Sequence, residues 1–112
     1  MKYFDELKRA MDWLGGKEDT LFLGQAVGCP GTGMTNTLKD VSPDKTIELP
    51  VNEEMQMGLT NGIALNGSVP ISVFPRWNFL ILATNQVVNH LDKMGPMSDG
   101  GYQPKVIIRT SI

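Results

Sequence analysis

The 112-residue chain is poor in the residues that most often carry chemistry, with one cysteine, Cys29, and one histidine, His90. A lone cysteine cannot close a disulfide within the chain, and Cys29 has no neighbouring Cys or His at metal-ligand spacing, so it reads as a small thiol in a loop. Any Ser-His or Cys-His mechanism would have to use His90, which sits between Asn89 and Asp92 late in a helical pattern and reads as a helix-terminal histidine. There is no excess of positive charge. Ten Lys and Arg against 12 Asp and Glu give a formal charge of -2, without the basic stripe that nucleic-acid binding requires. Long apolar runs are also missing. The longest strongly apolar stretch, Phe79 to Ala83, is too short to span a bilayer, and Met1-Lys2-Tyr3-Phe4-Asp5-Glu6 turns acidic where a signal peptide would turn apolar. The expectation is a cytoplasmic protein without membrane or nucleic-acid partners. Internal repeats, low-complexity tracts and linkers are absent too.

With 41% hydrophobic and 20% charged residues, what remains has the composition of one globular domain. Apolar residues from Tyr3 to Leu14 recur at helical spacing until Gly15-Gly16. Thr20 to Leu23 predicts a strand, and Gly28 to Gly33, with three Gly and one Pro, a turn-rich loop. A short helix near Asn36 to Lys39 and a strand over Thr46 to Leu49 follow. Asn52 reads as the N-cap of a helix from Glu53 to Asn66, stopped by Gly67. Val69 to Phe74 predicts a third strand, Trp77 to Leu91 a nearly all-apolar helix, and Val106 to Ile108 a fourth strand. This alternation implies an α/β fold, a three-layer doubly wound sheet, mainly parallel, with helices on both faces. Ligands in such sheets bind beyond the carboxyl ends of the strands. Here those ends are the Gly28–Gly33 loop, the turn from Pro50 to Glu53 and the turn from Pro75 to Phe79.

The loop Gly28-Cys29-Pro30-Gly31-Thr32-Gly33 invites a nucleotide-binding reading with Glu48 as a ribose-binding acid. Its glycine spacing is not that of the dinucleotide fingerprint, Pro30 intrudes, and the following helix is short. Inside the third helix, Gly58 and Gly62 lie one turn apart. Each costs ~1 kcal/mol against alanine, which the close approach of another backbone would offset. Glu53 by itself reads as a first-turn carboxylate favoured by the helix dipole.

The run Glu53, four residues, Gly58-Leu59, two residues, Gly62-Ile63 resembles the E-x4-G-φ-x-x-G-φ signature, φ apolar, of thiamine-diphosphate enzymes. The likeness extends to the beta subunits of pyruvate and branched-chain 2-oxo-acid dehydrogenase decarboxylase components, within the transketolase-like family. Leu23-Gly24-Gln25-Ala26-Val27 resembles their L-G-E-D-V, Leu49-Pro50-Val51-Asn52-Glu53 their T-P-I-S-E, Asn85-Gln86-Val87-Val88-Asn89 their D-Q-I-V-N, and Met97-Ser98-Asp99-Gly100-Gly101 their M-S-G-G. Val106-Ile107-Ile108-Arg109 resembles their V-V-I-R strand, and Asn78-Phe79 falls where they carry an aromatic. Gln25 departs from the pattern, since many relatives carry an acid there.

The resemblance implies a pyrimidine-binding domain of the thiamine-diphosphate type. Glu53 would be the glutamate that exchanges a proton with the coenzyme aminopyrimidine, in an apolar pocket that raises a carboxyl pKa. Phe79 would be the ring that stacks on the aminopyrimidine, with Asn52 and Pro75 beside them as further cofactor-binding residues. The magnesium-binding G-D-G motif followed by an asparagine is missing. In the family it belongs to an alpha-type subunit, which becomes the implied partner and the holder of the magnesium. Residues 1–112 are then expected to be a single, partial pyrimidine-binding domain, truncated, without the family's carboxyl-terminal domain and inactive alone. The Gly58/Gly62 helix would serve a homo-oligomer. The alternative is a non-catalytic binding or assembly module that keeps the fold.

Overall fold

The computed structural model describes residues 2–112. Helix α1 (Tyr3–Gly15) is followed by strand β1 (Thr20–Gly24), a short helix α2 (Gly33–Asn36), a 3₁₀ turn over Pro43–Lys45, strand β2 (Thr46–Glu48), helix α3 (Glu53–Leu65) and strand β3 (Val69–Phe74). A helical stretch then runs from Trp77 to Met97, and strand β4 (Ile107–Thr110) completes a four-stranded sheet of order β2-β1-β3-β4. Every pairing is parallel, with Phe22 opposite Ile71 and Ile71 opposite Ile107. The α/β architecture of the sequence reading is therefore present, with small shifts at element ends.

Side chains alternate across the sheet as the pleat requires. Phe22, Ile71 and Val73 point to one side, where they pack with Met11 of α1, Met34 of α2, Val27, Leu38 and Val41. Phe74 and Ile108 point to the other, against Met57 of α3 and Leu80, Ala83, Val87 and Leu91 of the long helical stretch. Helices thus cover both faces. Phe22, Ile71, Val73, Phe74 and Met57 are completely buried, each worth roughly 1.5–3 kcal/mol by transfer. At the end of β1 the chain turns at Gly24 (φ +136°), where a Cβ would lie 2.1 Å from the Val73 carbonyl oxygen. Only glycine lets β1 and β3 approach this closely.

Two elements depart from expectation. The short helix falls at Gly33–Asn36, ahead of the Asn36–Lys39 reading, because the Thr32 hydroxyl accepts from the Thr35 amide and caps it there. The long helix does not end at Leu91. It comprises α4 (Trp77–Leu80), a 3₁₀ turn over Ile81–Ala83, a π segment over Gln86–Leu91 and α5 (Asp92–Met97), with Pro96 inside the last turn. These changes of winding set the buried stripe at Leu80, Ala83, Val87 and Leu91. They leave Trp77, Thr84 and Val88 exposed.

Candidate functional site

Glu53 is the first residue of α3, just beyond the end of β2, and Phe79 lies in the first turn of the helix that follows β3. Both therefore stand at the carboxyl ends of parallel strands, where open α/β sheets bind ligands. Asn52 shapes the entry to α3, its side-chain oxygen accepting from the Met55 amide at 2.9 Å. That bond satisfies one of the helix's free amides and directs Glu53 inward. Glu53 is only 7% exposed, and among the described residues no hydrogen bond reaches its carboxylate. The residue is buried, but its carboxylate oxygens are not among the enclosed unpartnered atoms, so they stay open to an incoming donor. Phe79 is half-buried and takes no part in the core cluster beneath it.

The neighbouring residue fastens the two helices together. The Glu54 carboxylate accepts from Asn85 Nδ2 at 2.6 Å and Gln86 Nε2 at 2.9 Å, and these bonds hold its carboxyl below the usual range. Asn61 Nδ2 donates to the Gln86 carbonyl at 3.1 Å. The first turn of α3 is in this way pinned beside the helix that carries Phe79.

The Gln25 side chain lies in a buried amide chain. Gln25 Nε2 donates to Gln56 Oε1 at 3.0 Å and to the Pro50 carbonyl at 3.3 Å, while Gln56 Nε2 donates to Ser72 Oγ and the Val73 carbonyl. The chain ties β1, β3, α3 and the Pro50 turn without any charge. Pro75, placed with Glu53 and Phe79 by the sequence reading, instead faces a different cavity, shared with α1, α2 and the end of β4. Its carbonyl accepts from the Ser111 hydroxyl. Neither Glu53 nor Phe79 lines that cavity.

The first amides at the glycine loop are taken by a carboxylate of the chain itself. The backbone amides of Ala26, Val27 and Gly28 donate to the Glu48 carboxylate at 2.8–2.9 Å, with Ala26 in the left-handed region at φ 59°. Burial pushes the Glu48 pKa up, but bonds from Gly28, Ala26, Val27 and Cys29 outweigh it and hold the carboxyl below its ordinary value. The acid read as a ribose ligand thus fills the loop's own anion nest.

No family model matches the chain. Curated proteins do. Each is named "Pyruvate dehydrogenase E1 component subunit beta". The one from Gracilaria tenuistipitata var. liui is 32% identical over 111 residues, 95% of this chain and 34% of the relative. That from Cyanidium caldarium is 30% identical over 97% of this chain and 35% of the relative, and that from Porphyra purpurea 30% identical over 95% and 33%. The chain spans about a third of the length of the curated relatives it matches. The parallel sheet with helices on both faces is an α/β architecture consistent with the thiamine-diphosphate pyrimidine-domain type. Over that third of their length the chain is similar to pyruvate dehydrogenase E1 beta subunits.

Proposed function

We propose that the chain supplies the aminopyrimidine-binding half of a thiamine-diphosphate-dependent 2-oxo-acid dehydrogenase, acting with an alpha-type subunit that holds the diphosphate and magnesium. The observation that carries this reading is Glu53, a largely buried residue whose carboxylate has no hydrogen-bond partner among the described residues, at the carboxyl ends of parallel strands. The residues present fit an aminopyrimidine, whose ring nitrogen would meet the carboxyl and whose face would meet an aromatic ring. When bound, the coenzyme supplies the carbanion chemistry. Glu53 holds or releases a proton at the ring nitrogen, Phe79 offers its face for stacking, and Asn52 positions Glu53 through the cap. Pro75, which also borders a separate cavity, belongs to this reading through the turn that leads from β3 to Phe79.

A second reading, a non-catalytic binding or assembly module, draws support from Gln25, whose neutral amide cannot relay a proton as an acid would. A nucleotide site is disfavoured by Glu48, whose carboxylate already takes the amides of Ala26, Val27 and Gly28 where the loop begins.

The deciding experiment reconstitutes the chain with an alpha-type partner and measures coenzyme binding and hydrogen-deuterium exchange at thiazolium C2. Glu53→Gln keeps shape and hydrogen-bonding capacity but cannot exchange the proton. Binding should persist while exchange slows by about 10²–10⁴. Unchanged exchange with bound coenzyme would leave Glu53 a helix-start carboxylate and favour the module reading. The chain without its partner should not enhance exchange in either form.

A further inference from the structure

A cavity of about 440 Å³ opens at the carboxyl ends of β1, β3 and β4, on the face covered by α1 and α2. Its volume is that of a small-ligand site. Phe4, Leu7, Met34 and Pro75 give it apolar walls, and Arg76 and Arg109 are its charged lining residues. No Asp or Glu lines it, and neither arginine forms an ion pair among the described residues. Arg109 Nη1 is buried without a hydrogen-bond partner.

An unpaired cation in a half-buried position is a standing cost to the fold. The fork of a guanidinium is matched best by a planar carboxylate, which can accept two parallel N–H bonds. We propose that this cavity binds a small amphiphilic carboxylate, its head on Arg109 and Arg76 and its apolar body against Phe4, Leu7, Met34 and Pro75. The site is separate from Glu53 and Phe79, so it stands whether or not the coenzyme reading does. Burial works against the Arg109 charge and draws its pKa down, with Tyr3 opposing. A bound carboxylate would restore what burial removes.

The test titrates the 112-residue chain with octanoate, with octanamide of the same length but no charge, and with inorganic phosphate, followed by calorimetry and thermal unfolding. Octanoate should bind saturably at one site, about tenfold or more tighter than octanamide. In Arg109→Gln the preference should disappear, while the unliganded thermal midpoint should hold or rise because an unpaired buried charge is gone. An arginine with a purely structural role would instead lower that midpoint. Arg76→Gln, at an exposed position, should weaken octanoate by a smaller factor and keeps the question open to decision if Arg109→Gln fails to fold. Equal binding of octanoate and octanamide, no binding at all, or affinity unaffected by either substitution would overturn the proposal. So would inorganic phosphate binding as tightly as octanoate, which marks an adventitious ion only.

Discussion

Glu48 uses its charge to hold its own backbone. Three consecutive amides converge on one carboxylate, which fixes the loop after β1 to the end of β2. Glutamine at this position keeps one acceptor oxygen and loses the charge, so Glu48→Gln should cost about 1 kcal/mol near neutral pH, a figure already reduced for solvent exposure. The pH dependence has a definite sign. The folded-state pKa lies below the ordinary 4.5, so the contribution is complete above that value and is lost as pH falls through the lowered one. Urea unfolding at a series of pH values should show parent and Glu48→Gln separated at pH ~7 and converging below pH ~4. A constant separation across that range would mean that the carboxylate charge contributes nothing.

Helix α3 was legible almost to the residue. Asn52 caps it, Glu53 and Glu54 favour its positive end, and Gly67, at φ 99°, follows its last turn. The helical stretch after β3 was legible only in part, because the apolar pattern stops at Leu91 while the chain winds on to Met97. The chain continues because the π segment rotates the polar residues outward, and the Ser98 hydroxyl and Gly100 amide close the end on the Met94 and Gly95 carbonyls. Changes of winding leave no local mark in an apolar run. Glu53 was visible as a helix start from spacing, while its proposed role came from the motif it resembles. Arg109 passed as one more strand residue, since its unpaired state depends on the distant α1 folding over β4. The α3 glycines give a test at this scale. A Cβ on Gly58 would make ordinary contact with the Gln86 side chain, and one on Gly62 would meet nothing within 4 Å. The close backbone approach expected of them is therefore not made inside the chain. Gly62→Ala should stabilise the isolated chain by about 1 kcal/mol, read from urea midpoints at constant m-value. A loss of stability would show that Gly62 needs its conformational freedom within the chain itself.

Two helices of the molecule expose several large apolar side chains. Met55 and Leu59 on α3 are 41% and 42% exposed, and Trp77, Ile81, Leu82 and Val88 on the adjoining helix are between 48% and 60% exposed. Single exposed apolar side chains are ordinary, but six on two helices packed side by side make a surface suited to a partner. Gly62 lies on the exposed side of α3 near Leu59, where a missing side chain lets another backbone come close. Self-association through this face is the expected outcome, and the same alanine that stabilises the isolated chain should then weaken it. Sedimentation should show mass rising with concentration. Because the contact is apolar, added salt should strengthen it or leave it unchanged, whereas an association held by ion pairs would dissociate. Leu59→Lys and Leu82→Lys should shift the equilibrium to monomer with little change in thermal midpoint at low concentration, since neither side chain is buried in the fold. If both variants associate as the parent does, another surface is in use. A strict monomer at high concentration would leave this face to a different protein, of which the alpha-type subunit is the first to try, with loss of binding in the same two variants as the readout.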